Sequence, residues 1–262
     1  MLYVHENNLK SKIKENYKGT GSNINTFFET EYLSMRKRIE NLTFDEAHID
    51  SYSIAANVFN EYYDKLSVFS SANSISSQSK FASTFLEEIS CYLFKDLQEI
   101  KNNIFDVYNK GIYAGLKIDS TRHIAIIKKD VDFCIGKRVN ILIDSQFPLE
   151  LVLPIIAVEV KTYLDATMFG EIKSSSKAIR SASPNSKTYV LMGYKNIADE
   201  HIIAARQDAA LTEIFCLREN KSKPIRADVL FDYWHEIKNA VCAVSQDIIV
   251  PSYGRLLNPP IP

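Results

Sequence analysis

The sequence predicts an α/β protein, with a mixed sheet flanked by helices and an N-terminal helical extension. Two observations predict it. The first third carries apolar residues at helical spacing, as in Ile54, Val58, Tyr62 and Leu66. After Lys101 the pattern changes to short strand-like runs that alternate with helical segments. Helices followed by a mixed block are typical of an α/β core with a helical extension.

The elements are expected in this order. In the N-terminal part, helices are predicted over 27–42 and 48–69, a serine-rich loop or hinge over 67–80, and a helix from about Lys80 to Ile100. Strands are then predicted over 124–127, 131–135, 140–143 and 155–162, with 137–153 looping out. A helix containing Leu164 and Ile179, a strand over 188–192, a helix over 199–208, a strand over 211–217 and a helix over 231–244 complete the chain. The strands at 155–162 and 188–192, joined by a helix, are expected to pair in parallel.

Composition and charge are those of an ordinary globular protein. The 262 residues include 31 basic and 32 acidic side chains, for a net charge of −1. This balance excludes a highly basic nucleic-acid coat protein, but not a DNA enzyme whose positive charge is local. The absence of a long apolar run or a secretory signal, and four widely spaced cysteines, predict a cytoplasmic protein without disulfides or membrane spans.

Charged residues inside an apolar run are the first chemical signal. Alternation along the strand places Glu159 and Lys161 on one face, opposite Val158 and Val160. Burying unpaired charges is costly, so their presence requires a reason. One reason is a structural ion pair at the edge of the sheet. The other is a site where a metal ion and a phosphate supply the missing charges.

A second carboxylate arises upstream in the same way. Asp132 interrupts an apolar strand, and Asp130 lies two residues earlier on the same face. Two carboxylates at neighbouring strands are hard oxygen ligands that suit Mg²⁺. A lysine beside them can orient a water molecule and offset charge on phosphorus, which is the equipment for metal-assisted phosphodiester hydrolysis. Glu-x-Lys occurs five times, but only at Glu159 and Lys161 within an apolar strand.

The string Val131-Asp132-Phe133-Cys134-Ile135-Gly136, followed by Glu159-Val160-Lys161 and Thr162 to Met168, resembles the PD-(D/E)xK nuclease superfamily. The longer match is similar to type II restriction endonucleases of the BbvCI-like group, which cut interrupted CTNAG-type sites. The resemblance implies that Asp132 and Glu159 ligate Mg²⁺ with the carbonyl of Val160, while Lys161 positions the attacking water. Val131 stands where the superfamily usually has Pro, so Asp130 remains an alternative to Asp132.

Members of this superfamily often add a glutamate from the helix that precedes the core. On the helical wheel, Glu88 falls at the rim of an apolar arc beside Phe81 and Tyr92, whereas Glu87 points away from the arc. We therefore expect Glu88 to be a further catalytic acid facing the site and Glu87 to be solvated. Surface charge is the alternative for both.

Basic residues near the two strands are candidates for phosphate contacts. Lys173, Lys177 and Arg180 share the polar face of the helix after the Glu159 strand, and Lys128 and Lys129 precede the Asp132 strand. A solvated surface would show the same pattern. Base-reading candidates, chosen by residue type alone, are Arg206, Gln207, Arg226 and Asn258.

Together the residues and the resemblance predict a Mg²⁺-dependent type II restriction endonuclease that cuts double-stranded DNA to leave 5′-phosphate ends. Because one site cuts one strand, a homodimer, or a heterodimer with a related subunit, is expected. Residues 76–262 are the expected restriction-endonuclease-like catalytic core, and 1–75 a helical region for dimerisation or DNA clamping. The alternatives are a repair or junction-resolving nuclease of the same superfamily, or a non-catalytic DNA-binding partner subunit.

Overall fold

The N-terminal region of the chain is a set of packed helices. In the computed structural model, which describes residues 2–118, 120, 124–142, 149–206 and 210–245, the N-terminal region is helical as predicted. Its helices are α1 (Val4–Lys14), α2 (Gly21–Phe27), α3 (Leu33–Glu40) and α4 (Asp50–Ala72), with a π-helical turn at Phe28–Tyr32 joining α2 to α3. Two further helices, α5 (Phe81–Leu93) and α6 (Gln98–Lys101), precede the strands.

A five-stranded mixed sheet forms the centre of the remaining chain. Its strands, in spatial order, are β1 (Asp106–Tyr108), β4 (Phe133–Ile141), β5 (Leu149–Leu164), β6 (Lys187–Lys195) and β7 (Glu213–Arg218). A separate antiparallel pair consists of β2 (Ile112–Ile118) and β3 (Ile124–Lys129). The helices of this part are α7 (Ala166–Ala182), α8 (Asp199–Ala205) and α9 (Ala227–Ser245).

The strand directions explain how the sheet can bring distant residues together. β4 runs antiparallel to β5, whereas β6 runs parallel to both β5 and β7, so the predicted parallel pairing of β5 with β6 is confirmed. Helix α7 supplies the crossover that parallel strands require. The α/β fold with an N-terminal helical extension is therefore confirmed.

The segment from Lys137 to Leu153 does not loop out as predicted. Instead, β4 continues to Ile141 and pairs with β5 from Leu149 onward. The ladder shifts register between Ile135 and Gly136, where a side chain on Gly136 would collide with the carbonyl oxygen of Leu153 at 2.4 Å. The glycine that looked like the end of a strand instead permits close approach of two strands.

One continuous hydrophobic core connects the N-terminal helices to the sheet. Buried residues from α1 to α5, such as Leu9 and Phe59, belong to the same cluster as Val158 of β5 and Trp234 of α9. A smaller cluster around Phe169 covers the opposite face beneath α7 and α8. The division at residue 75 stays a prediction. None of the described helices is both long and apolar enough to cross a membrane.

Candidate active site

The carboxylate of Asp132 is fixed by the backbone of the neighbouring strand. Asp132 directly precedes β4, and its backbone N–H donates to the carbonyl oxygen of Val158 at 3.2 Å. Its Oδ2 atom accepts a hydrogen bond from the backbone N–H of Val160 at 2.7 Å. The antiparallel pairing of β4 with β5 therefore delivers this carboxylate to the middle of β5.

Glu159 and Lys161 meet Asp132 at that point. The Lys161 Nζ atom lies 3.2 Å from Oε2 of Glu159 and 3.5 Å from Oδ2 of Asp132. The side chains of Lys161, Asp132 and Glu159 remain 30%, 27% and 17% exposed, so the cluster is half-buried but open to solvent. The structure thus brings together three residues that the sequence predicted as one site.

The charges of this cluster are unbalanced. Burial raises the pKa of Glu159, the Lys161 ammonium opposes that rise, and the nearby Asp132 carboxylate adds to it. Burial by itself lowers the pKa of Lys161, but the two carboxylates outweigh burial and hold this pKa above its usual value. Lys161 is consequently a cation at neutral pH, set between two acids that repel each other.

This donor set fits a divalent cation. Two adjacent carboxylates are hard oxygen ligands, and Mg²⁺ characteristically uses one or two carboxylates and completes its shell with water and substrate oxygens. Across the part of the chain that the structure describes, no group of three or more His, Cys, Asp or Glu side chains could hold a metal. A metal here would therefore need a backbone oxygen, for which Val160 was predicted, or water besides Asp132 and Glu159.

Glu88 does not face this site, and that prediction is wrong. Its carboxylate is completely buried and accepts four hydrogen bonds. The donors are the backbone N–H groups of His5 and Glu6, at 2.8 and 3.3 Å, and the hydroxyls of Tyr32 and Tyr92, both at 2.8 Å. Because the two N–H groups belong to the first turn of α1, Glu88 caps that helix from another element.

Glu87, predicted to be solvated, is the glutamate of α5 whose pKa is affected by the charges of the site. The pKa of its carboxyl is raised to about 7, first by burial and then by the charge of Asp132, while Lys161 opposes the rise. Neither Asp132 nor Lys161 is among the main influences on the pKa of Glu88. Helix α5 is buried on nearly all sides, so the direction away from its apolar arc leads toward the strands rather than to solvent.

Asp130 has a different role from Asp132. Its Oδ1 accepts a hydrogen bond from the backbone N–H of Gly111 at 2.9 Å, which closes the base of the β2–β3 pair. No contact of Asp130 with Lys161 is found in the described chain, whereas Asp132 makes one. The geometry therefore favours Asp132 over Asp130 as the acid of the site.

The basic candidates for phosphate contact lie on two elements beside the cluster. Lys173, Lys177 and Arg180 are on α7, whose other face buries Phe169 and Ile179. The N-terminus of α7 is capped by Asp165, which accepts a hydrogen bond from the N–H of Met168 at 2.9 Å. Lys128 and Lys129 form the end of β3, three or four residues before Asp132. Their DNA contacts stay predictions.

The base-reading candidates are separated in the fold. Arg206 is exposed after α8, and Arg226 is engaged by Glu219 at 3.3 Å and by Asp228 at 2.6 Å. Gln207 and Asn258 lie outside the described residues.

The fold and this cluster define a class of protein. A solved structure entitled "native BbvCI A2B2 tetramer at low resolution" matches 95% of this chain and 100% of its own, with a TM-score of 0.75 at 15% identity. At that identity the likeness concerns the fold. This chain therefore shares the fold of that protein, a mixed sheet flanked by helices.

The family follows from the sequence. The model of the Bpu10I restriction endonuclease family matches residues 78–239, more than half of the chain and the stretch that holds Asp132, Glu159 and Lys161. The chain belongs to this family and is a type II restriction endonuclease. No curated protein sequence matches it.

Proposed function

We propose that this chain hydrolyses phosphodiester bonds at specific sites in double-stranded DNA, using Mg²⁺ bound at Asp132 and Glu159 and leaving 5′-phosphate ends. The observation that carries the proposal is the Lys161 ammonium, 3.2 and 3.5 Å from two carboxylates on adjoining strands. A simple ion pair needs one acid for one base. Here the second acid is left over, as a cation site requires.

Each residue has a separate task in this proposal. Asp132 and Glu159, with the carbonyl oxygen of Val160, would hold the metal, which supplies positive charge for the phosphate when bound. Since two carboxylates keep Lys161 protonated, we assign it the orientation of the attacking water and the stabilisation of charge on the phosphate. Glu87 replaces Glu88 as the accessory acid, because its charge is coupled to Asp132.

Assembly with a second subunit is part of the proposal. The structural neighbour is entitled an A2B2 tetramer. One site cuts one strand, so cutting a duplex requires two sites related by symmetry or pseudo-symmetry. We propose that this chain acts as a homodimer or with a related subunit, and that residues 1–75 contribute to that contact or clamp the DNA.

The test combines plasmid digestion with site variants. Wild-type protein with Mg²⁺ is expected to produce discrete bands, EDTA to abolish them, and untreated ends to ligate without a kinase. Asp132→Ala and Lys161→Ala proteins are expected to bind DNA but to cut at least about 10³-fold more slowly. The first variant loses a ligand of the metal, and the second loses the ammonium that stabilises charge on the phosphate in the transition state. Asp130→Asn, which keeps an acceptor for Gly111, is the matched control and should retain cutting.

The alternatives give different results. Structure-selective nicking without discrete bands would favour a repair or junction-resolving nuclease. Cutting by both variants at the wild-type rate would refute the site. A wild-type chain that binds DNA but never cuts it with Mg²⁺, even after a related subunit is added, would be a non-catalytic partner.

A further inference from the structure

The antiparallel pair β2–β3, here called the ribbon, has a buried base and exposed side chains farther out. It forms its own two-stranded sheet, separate from the five-stranded one. At the base, Ile112 is fully buried in a cluster with Ala157 of β5 and Ile179 of α7. The base also leads directly into the site, since β3 ends at Lys129 and Asp132 follows three residues later.

The outer half of the ribbon presents aliphatic side chains to solvent. In its register, Ile118 pairs with Ile124 and Leu116 pairs with Ile126. Paired residues of an antiparallel ladder point to the same side, and so do positions two apart, so these four side chains share one face. Ile118 is 74% exposed, Leu116 52% and Ile124 40%. A contiguous exposed apolar face of this kind marks an interaction surface.

The charge of the ribbon indicates what covers that face. The described strands contain three lysines, Lys117, Lys128 and Lys129, and no acidic residue. Within the described part of the chain, no salt bridge neutralises any of the three, whereas Arg138 and Arg226 elsewhere are paired with acids. An uncompensated basic strand pair is complementary to a polyanion.

A second copy of this chain is a poorer match. A two-fold contact through the ribbon would set this basic strand pair against a second copy that carries the same three lysines. The described residues of β2 and β3 include no acid that would offset this positive charge. Duplex DNA supplies apolar contacts, in the thymine methyl groups of its major groove, and phosphates on either side.

We propose that the ribbon lies in the major groove of the bound duplex, with Leu116, Ile118 and Ile124 against base edges and the lysines on flanking phosphates. The major groove accommodates a two-stranded ribbon. The six residues of β3 span about 20 Å at strand rise, so the ribbon reaches base pairs away from the bond that Asp132 addresses. This inference rests on the proposed DNA-cutting function and adds a specificity element to it.

The test separates base contacts from phosphate contacts. Two short duplexes serve as probes, one carrying the site identified by plasmid digestion and one of mixed sequence without it, both with Ca²⁺ in place of Mg²⁺. A Leu116→Ser, Ile118→Ser variant is expected to bind the site duplex about tenfold or more weakly and the mixed duplex unchanged, since base contacts specify and phosphate contacts do not. Val244→Ser, at an aliphatic side chain 45% exposed on α9, is the matched control.

The lysines give the complementary signature. Lys117→Gln and Lys128→Gln are each expected to weaken both probes and to lower the slope of log affinity against log salt by about 0.9 for one lost phosphate contact. Unchanged binding of the site duplex by the serine variant overturns the proposal. So does a drop in its assembly mass by light scattering, which would make the ribbon a subunit interface.

Failure of the parent proposal looks different. A wild-type protein that cuts no plasmid and prefers no sequence fails the proposed function, whatever the ribbon does. The lysine variants on the mixed duplex then decide the ribbon alone. Wild-type affinity and an unchanged salt slope in those variants would show that it makes no DNA contact.

Discussion

Two clusters of acidic side chains within this fold have opposite designs. At the contact between α1 and α5, the carboxylate of Glu88 is sealed from solvent and accepts four hydrogen bonds. At the junction of β4 and β5, Asp132 and Glu159 share one lysine and stay partly open to solvent. The first has every lone pair engaged, whereas the second has more negative charge than its partners balance.

The difference shows how to distinguish a structural acid from a chemical one. A buried carboxylate is tolerated when donors saturate it, and saturation leaves nothing to bind a ligand. An accessible pair of carboxylates that repel each other gains from a cation. Removing an acid from the first cluster should therefore affect folding, and removing one from the second should affect catalysis.

The largest expected effect on folding is at Glu88. Glu88→Ala leaves two tyrosine hydroxyls and two N–H groups of α1 without their buried acceptor, which we expect to cost about 4 kcal/mol of the free energy of unfolding. Urea denaturation measures it. Glu88→Gln keeps one carbonyl acceptor and should lose less. If the free energy of unfolding of the alanine variant falls by less than about 1 kcal/mol, Glu88 does not have this structural role.

His5 and Glu88, which lie in the same buried cluster, are expected to make opposing contributions to the pH dependence of the free energy of unfolding. Burial lowers the pKa of His5 to about 3, so its contribution to stability is lost as pH falls below the unfolded value of 6.5. Burial raises the pKa of Glu88 to about 7 despite its hydrogen bonds, so its contribution is gained as pH falls from 7 to the unfolded value of 4.5. Between pH 6.5 and 4.5 the two effects cancel.

When His5 is substituted, the contribution of Glu88 to the pH dependence of stability should no longer be cancelled. In His5→Gln, whose amide can still contact Tyr62 and Thr84, stability relative to wild type should rise by about 2 kcal/mol between pH 6.5 and 4.5, at about 1.4 kcal/mol per unit for one uncompensated proton. Thermal unfolding of both proteins across this range measures it. A constant difference would mean that His5 does not stay neutral in the folded protein.

The smallest effect distinguishes the two neighbouring glutamates. Glu87→Gln should slow DNA cleavage by about tenfold, or about 1.4 kcal/mol, because its charge is coupled to Asp132, while the unfolding midpoint stays near that of the wild type. Single-turnover cleavage and urea denaturation of the same preparation test both statements. Undiminished cleavage, or a stability loss like that of Glu88→Ala, would abolish the contrast.

Much of this arrangement could be predicted from sequence because period-two alternation is local. The strand carrying Glu159 and Lys161, its parallel pairing with β6, and its approach to Asp132 all follow from short patterns. The extension of β4 to Ile141 and of β5 back to Leu149 was missed because Gly136 resembled a strand end, whereas it relieves a close contact with Leu153.

The assignment of Glu88 failed for a tertiary reason. A helical wheel assumes one buried face and one wet face. Helix α5 is covered by α1 and α4 on one side and by β4 and β5 on another, so the side that looks solvated on the wheel lies near the strands of the site. The available signal was that Glu87 and Glu88 are the only charged residues between Phe81 and Leu93, which is unusual for a helix with one solvated face.

Because Glu87 and Glu88 are adjacent on α5, the orientation of one side chain about the helix axis determines that of the other. Successive helical residues differ in direction by about 100°, so fixing one side chain fixes the azimuth of the next. The hydrogen bonds from the backbone of α1 to Glu88 thereby fix the direction in which Glu87 projects toward the catalytic strands. An alteration of α1 that weakens its hydrogen bonds to Glu88 would let α5 rotate slightly about its axis. It would thereby change cleavage, although α1 is remote in sequence from Asp132.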